Sequence, residues 1–371
     1  MKVAMIGWEY PPFKAGGLAT HCYGLTRGLS DNGVEIDFYM PKTKKGATSK
    51  KKNLNIIEVG ETTIYPYDRP DSEEIQGGFY EKVHQYNDLV VSKVKGDYDA
   101  VHCHDWLTID AGIKIKEKTG IPMVLSVHST EYDRSGWINP NQWFIDIEKR
   151  GMKKADKIIA VSHLTKRVCI EKYDVDPDKI EVVHNAVYPL KKGEKQDIVL
   201  FLGRLTIQKG VEFFLKAAKK VLEYEDTPTF VVAGSGDMLP SLIDQAVDLD
   251  IADKVIFTGR LTDEEVNHIY GISSVYVMPS VSEPFGITAL EAISAGTPTI
   301  ASKTAGFSEI FNNCLRVDFW DTDEMANKII SLLRYDALHK TLAKKGENEI
   351  DLFTWDRVAD KTIDVYRKVV H

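Results

Sequence analysis

The sequence predicts an α/β protein made of two similar domains, each built on a parallel sheet. Three observations predict it. At 371 residues the chain is too long for one ordinary core and suits two domains of roughly 150–200 residues. Short β-rich runs alternate with amphipathic helical stretches almost throughout, the pattern of a parallel sheet with helical crossovers. The alternation pauses once, at the polar, Pro- and Gly-containing stretch Pro189–Asp197, which reads as a linker.

Taken in order, the first half offers strands at Lys2–Ile6, Val34–Met40, Ala100–Cys103, Met123–Val127, Lys157–Val161 and Glu181–Val183. The second offers Ile198–Leu202, Phe230–Ala233, Val255–Phe257, Val275–Met278 and Thr299–Ala301. The expected domains are 1–188 and 189–354. The stretch Trp355–Val370 reads as a helix with an apolar face at Val358, Ile363, Tyr366 and Val369/Val370, which needs a surface to pack on. Pro41–Asn53, with six lysines, reads as a solvated mobile loop, with contact to an acceptor or to an anionic surface as the functional alternative. Ligands of doubly wound sheets bind beyond the carboxyl ends of the strands, so the loops there hold the candidate site.

Composition narrows the function. Lys+Arg 47 against Asp+Glu 55 gives a net charge of −8, which argues against general nucleic-acid binding. The start, Met1 to Tyr10, lacks the charged, apolar and small-residue regions of a signal peptide. No apolar run approaches the ~18 residues that span a bilayer. Cys22, Cys103, Cys169 and Cys314 show no C-x-x-C pair, so neither a zinc site nor a disulfide framework is indicated, and a reducing, cytoplasmic setting is expected.

Three loops carry chemistry. Lys14-Ala15-Gly16-Gly17-Leu18 follows the first strand and opens an amphipathic helix. Adjacent glycines there let backbone approach a ligand and leave helix N–H groups for an anion. The spacing is neither that of a nicotinamide dinucleotide loop nor that of a P-loop. Arg204 and Lys209, within Gly203–Gly210, sit where a strand of the second half meets the next helix. Arg pairs with a phosphate as a planar fork, Lys as a point charge. Cations at a helix start are unfavourable without an anion, which argues for a diphosphate ligand. Glu283 and Glu291 flank Pro284-Phe285-Gly286-Ile287, one before and one inside a helix, so they can address different parts of an elongated ligand.

These blocks resemble those of a known family. Glu283–Glu291 with Gly296-Thr297-Pro298 resembles the E-P-F-G-L-x-x-L-E-A-x-x-x-G-x-P signature of retaining GT-B glycosyltransferases. Gly203–Gly210 is similar to the R-L-x-x-Q-K-G segment of glycogen and starch synthases, and Lys14–Leu18 to their K-x-G-G-L loop. His102-Cys103-His104-Asp105-Trp106 resembles H-x-H-D-W, and His184-Asn185-Ala186-Val187 the N-G/A-V turn. The blocks run in family order from residue 7 to about residue 310. The family is that of the group 1 glycosyl transferases.

The resemblance implies a GT-B fold, with two Rossmann-like domains facing across a cleft and the last helix crossing back to the first domain. It implies that Lys14, Gly16, Gly17, Arg204 and Lys209 hold a donor diphosphate and that Glu291 takes the ribose hydroxyls. Glu283, with N–H groups near Phe285–Ile287, would hold the hexose. His128 would reach the sugar from the first domain, Asp105 would support the sugar or acceptor side, and Asn185 would help near the crevice. Glu283, His128, Arg204 and Lys209 are the expected catalytic groups, and domain closure would exclude water.

The leading reading is transfer of glucose from ADP- or UDP-glucose to an α-1,4-glucan with retention. The runner-up is another α-hexosyl transfer, to a small sugar, a sugar phosphate or a lipid-linked acceptor. Thr20 stands where the K-x-G-G-L-A-D pattern has Asp, a departure on the acceptor side. A sugar-nucleotide epimerase and a binding protein without turnover are the rivals. No cofactor is expected beyond the donor, nor any nucleic-acid partner, and peripheral membrane contact stays open. Asp248-Leu249-Asp250 and Asp321-Thr322-Asp323 have the spacing of a metal-binding pair but read as surface carboxylates, so no metal is expected. His102 and His104 read as packing and hydrogen-bonding groups, since a metal needs further ligands. Asp174–Asn185 lacks the Gly and Glu of a calcium loop. Donor base, acceptor, linkage, oligomeric state and the choice between same-face and double displacement stay open.

Overall fold

Predominantly apolar runs form the strands, because a parallel sheet is covered on both faces. A computed structural model describes residues 1–14, 16–43, 46–60 and 78–370. The first sheet contains β1 (Lys2–Ile6), β2 (Glu35–Pro41), β3 (Leu54–Val59), β4 (Ala100–His104), β5 (Met123–Val127), β6 (Lys157–Ala160) and β7 (Ile180–Val182). Its order is β3-β2-β1-β4-β5-β6-β7, each neighbouring pair parallel. The second contains β8 (Gln196–Leu202), β9 (Thr229–Ala233), β10 (Val255–Gly259), β11 (Ser273–Met278), β12 (Thr299–Ser302) and β13 (Leu315–Val317). Its order is β10-β9-β8-β11-β12-β13, again parallel.

Both sheets therefore reverse their winding beside their first strand, at β1/β4 and at β8/β11. Those two points are where doubly wound sheets open a crevice at their carboxyl edge. The loops singled out from the sequence leave these strands: Lys14–Leu18 follows β1, Asp105-Trp106 follows β4, Gly203–Gly210 follows β8 and Ser280–Gly286 follows β11.

The chain divides into two units. One comprises Met1–Glu131, Asn139–Ala186 and the chain from Thr354 onward; the other comprises Tyr132–Ile138 and Val187–Phe353. The sequence pattern alone had left residues 132–138 with the first half. Each unit has its own apolar core, one spanning β1, β2 and the final helix, the other β8, β9 and β11 with their covering helices.

The final helix, Trp355–Arg367, buries Trp355, Val358, Ala359, Ile363, Val365 and Tyr366 in the first unit. Its partner is the helix Gly17–Asp31. Two glycines on that partner make the approach possible: a Cβ on Gly24 would lie 2.1 Å from the Trp355 ring, and one on Gly28 2.7 Å from the Trp355 carbonyl.

Four expectations need correction. The edge strands β3 and β13 were not foreseen: β3 carries Asn55 and Glu58 and directly follows the lysine-rich stretch, and β13 is three residues long. The lysine-rich stretch is not a free loop, at least outside Lys44 and Lys45, which lie beyond the described residues. Thr43 and Ala47 are buried, and the Thr43 N–H, Thr43 hydroxyl and Ala47 N–H all donate to Glu58 Oε1 on β3, at 3.1, 2.7 and 3.1 Å. The expected linker is docked as well. Lys195 Nζ donates to the Gly271 carbonyl at 2.8 Å and to Thr297 Oγ1 at 2.7 Å, and the Gly193 N–H donates to the Gly271 carbonyl at 3.2 Å. Lastly, β8 begins at Gln196, inside that stretch. Among the described residues no helix is long and apolar enough to cross a membrane.

Substituting Gly24→Ala places a methyl inside the Trp355 ring. It should cost the first unit about 1–3 kcal/mol, the scale of overpacking, read as an earlier urea midpoint. An unchanged midpoint would refute this helix contact.

Candidate functional site

In the second unit, two loops meet at the β8/β11 reversal. Gly210, at φ 64°, ends the turn Ile207–Lys209 and starts the helix Val211–Leu222; a Cβ there would lie 2.1 Å from the Pro279 carbonyl. This close approach lets the buried Gln208 offer its carbonyl to the N–H groups of Val281 and Ser282, at 2.9 and 3.5 Å. The loop after β8 thereby holds the loop after β11.

Side chains complete the join. Lys209 Nζ donates to Glu283 Oε2 at 2.5 Å, and the Ser280 hydroxyl donates to the same oxygen at 3.2 Å. Glu283 is buried, and its backbone pairs with Thr304 and Gly306. Arg204 is half-buried, with Nη2 3.4 Å from Gln208 Oε1. The inference that these cations need an external anion does not hold for Lys209, which has Glu283 within the chain.

Beyond Glu283 the chain enters the helix Ile287–Ser294 through Gly286, at φ 107° and ψ 56°. A Cβ there would press on Met278 Cε at 2.9 Å, so glycine is required. Phe285 and Ile287 are buried, and the Phe285 carbonyl accepts from the Phe307 N–H at 2.8 Å. The first turn of this helix holds no acidic residue, so its positive end is left uncompensated by side chains. Glu291 is half-buried one turn further on and accepts from the Tyr270 hydroxyl at 3.2 Å. A segment that no sequence motif marks also joins: Ser282 Oγ donates to Asp133 Oδ1 at 2.6 Å, and Trp137 Nε1 donates to Ser282 Oγ at 3.4 Å.

In the first unit the corresponding edge carries histidines. Gly16 and Gly17 are exposed and Lys14 is half-buried. The Gly16 N–H donates to the fully buried Glu9, at 3.1 Å to Oε2, so it is not free for an anion as the sequence had suggested. Asp105 has φ 55° and ψ −176°, a region almost confined to glycine and costing of order 1–3 kcal/mol. Its Oδ1 accepts from the His128 N–H at 2.6 Å and the Ser129 N–H at 3.4 Å, which fixes the turn presenting His128.

His21, on the helix Gly17–Asp31, donates or accepts through Nδ1 with Asn185 Oδ1 at 2.6 Å; because that oxygen only accepts, His21 is the donor. His104 Nδ1 lies 3.0 Å from His128 Nε2, and their rings stack. His102 is satisfied on both nitrogens, by Tyr366 Oη at 2.7 Å and Ser126 Oγ at 2.8 Å. Burial drives the pKa of His21 down to about 4 and that of His102 to about 3, and pushes those of His104 and His128 well below the usual range. The layer is therefore neutral. Sequence reasoning found His102, His104 and His128 but gave His21 no role; its place four residues after Gly17, near the start of the helix, was the available signal.

Of the predicted residues, the structure gathers Arg204, Lys209, Glu283, Phe285, Gly286, Ile287 and Glu291 on the second sheet. On the first sheet it gathers Lys14, Gly16, Gly17, Asp105, His128 and Asn185. The acidic pairs Asp248/Asp250 and Asp321/Asp323 lie elsewhere, at the end of the helix Leu239–Asp248 and the start of the helix Thr322–Arg334. Asp321 caps that helix, accepting from the Glu324 N–H at 3.0 Å.

Two doubly wound units, each with its functional loops at the winding reversal, define the GT-B class of glycosyltransferases. Comparison with known proteins gives the family. Residues 187–349 match the family model for glycosyl transferases group 1, and residues 15–189 that for glycosyltransferase family 4. A glycosyltransferase of Methanocaldococcus jannaschii, itself uncharacterised, is 32% identical across 99% of this chain and 98% of its own length. A glycogen synthase of Mycobacterium tuberculosis is 26% identical across 99% of this chain and 94% of its own. The solved sucrose-phosphate synthase of Thermosynechococcus elongatus superposes with a TM-score of 0.81 at 20% identity, covering 99% of this chain and 98% of that one. The chain belongs to the group 1 glycosyltransferase family.

Proposed function

We propose that the chain transfers glucose from ADP- or UDP-glucose to an α-1,4-glucan with retention of configuration, and that no metal ion serves the diphosphate. The observation that carries this is the Lys209–Glu283 contact, with Arg204 beside it, at the β8/β11 reversal. Breaking a sugar–phosphate bond leaves a cationic anomeric carbon and a diphosphate. Preorganised charges of both signs, set side by side, match that separation. The diphosphate takes Lys209, Arg204 and the uncompensated helix end at Gly286–Ile287, while Glu283 turns to the sugar hydroxyls. Glu291 takes the ribose. Lys14 and Gly17 extend the phosphate contacts, and His128 contacts the hexose, with Asp105 and Asn185 acting through the histidines they hold. The M. tuberculosis glycogen synthase supports the glucan as acceptor. The buried free thiols of Cys22, Cys103, Cys169 and Cys314 support a reducing, cytoplasmic setting.

Thr20, where the resemblance expects Asp, favours a second reading in which the acceptor is a small sugar, sugar phosphate or lipid-linked sugar. Both are tested by offering purified protein ADP- and UDP-glucose against glycogen, maltose and glucose 6-phosphate in Mg²⁺-free buffer. Glycogen extension with α-linked product is expected, without stimulation by added Mg²⁺. Transfer only to the small acceptors selects the second reading. Donor conversion without any acceptor selects an epimerase, and donor binding without turnover a binding protein.

Arg204→Ala and Lys209→Ala should each lower kcat at least ~10²-fold, the scale for losing one preorganised charge contact; rates near wild type would refute the diphosphate role. Glu291→Gln should weaken donor binding by ~1.5–3 kcal/mol, the range for a hydrogen bond to a charged group, with a smaller effect on kcat. Calorimetric donor affinity equal to wild type would remove the ribose contact.

A further inference from the structure

We propose that His21, His104 and His128 form a binding site for one divalent transition-metal cation of the Zn²⁺ type. The inference goes beyond the donor chemistry above and does not rest on it. One ring nitrogen from each of the three imidazoles lies within 4.8 Å of those of the other two. The rings come from three separate elements of the first unit: the helix after the Gly16-Gly17 loop, the end of β4 and the turn after β5. Imidazole nitrogen is the ligand type Zn²⁺, Co²⁺, Ni²⁺ and Cu²⁺ prefer, and Mg²⁺ does not.

Three further observations fit the site to a cation. His21 is spent on Asn185 through Nδ1–H, so its Nε2 carries a lone pair, and that atom is buried with no hydrogen-bond partner among the described residues. A buried acceptor left unpaired costs on the order of 1–3 kcal/mol, and a Lewis acid removes the penalty. Second, His104 Nδ1 and His128 Nε2 are 3.0 Å apart. Two nitrogens each ~2.0–2.1 Å from one tetrahedral Zn²⁺ keep about that spacing or slightly more. Third, Asn185 on the second ring nitrogen of His21 is the outer hydrogen bond that orients a ligating imidazole, and Asp105 fixes the backbone of His128.

Binding uses His21 Nε2, His104 Nδ1 and His128 Nε2 and moves the proton of the His104–His128 hydrogen bond onto an outer ring nitrogen, so no proton is lost from the neutral layer. Three protein ligands leave a fourth position for water or a hydroxyl. His102 stays outside the set, since Tyr366 and Ser126 occupy both its nitrogens.

The test uses the full chain, stripped with chelator and titrated with Co²⁺ as a spectroscopic probe. The expected result is one equivalent bound, with the visible absorption of tetrahedral nitrogen ligation, displaced by one equivalent of Zn²⁺. His21→Gln should weaken binding by more than ~10²-fold, and Asn185→Ala by ~10–100-fold, as outer-shell losses do. The exposed His268→Ala should leave binding unchanged. No stoichiometric band, or a band equally strong in His21→Gln, overturns the proposal. If circular dichroism shows that His21→Gln does not fold, X-ray absorption on the Zn²⁺-loaded wild-type chain decides. Three imidazole ligands support the site, and fewer overturn it. Donor binding and turnover are not read in any arm, so failure here leaves the proposed function standing, and the reverse also holds.

Discussion

The site of the second unit depends on one contact, the ion pair between Lys209 and Glu283. It lies at the carboxyl edge of the sheet, where the loops after β8 and β11 meet. Removing water from two charges is costly, and a half-buried lysine or carboxylate left alone would cost more still. As a pair they hold each other in place until a ligand offers each a better partner. A diphosphate for the lysine and hydroxyls for the carboxylate would let both partners change without either charge being stranded. The Gln208 carbonyl and the Gly210 turn keep the two loops in register while that exchange happens.

The first unit solves a different problem. Four imidazoles share one edge, and burial keeps them neutral, with repulsion from neighbouring rings adding to it at His102, His104 and His128. Neutral rings must divide donors and acceptors among themselves, and the partners Asn185, Tyr366 and Ser126 do most of that division. Asp105 holds His128 from a backbone geometry that only surrounding structure can enforce. Strain at that position is sustained because its carboxylate replaces water for two N–H groups.

Much of this was legible beforehand, for identifiable reasons. Strands such as Met123–Val127 are buried at every position and apolar but for Ser126, because both faces are covered, so they stand out in sequence. The motif loops stand out because glycine, proline and charge recur at fixed spacing after those strands. What escaped notice was non-local. Edge strands β3 and β13 are only partly buried and carry a weak signal. Residues 132–138 look like any turn after β5, and only tertiary packing shows Ser282 bound to Asp133. His21 sits in an ordinary amphipathic helix, and nothing adjacent in sequence reveals Asn185 164 positions away. Lys209 advertised its charge but not its partner.

The division of the chain has a consequence for how the molecule is made and cut. The first unit includes a helix synthesised after the whole second unit. Until Trp355 arrives, the groove around Gly24 and Gly28 has no lid, and His102 lacks the tyrosine hydroxyl that holds it. A fragment stopping near residue 186 is thus an incomplete half rather than a minimal domain. During translation the later-made unit can mature first, leaving the earlier one waiting on its last turn of chain.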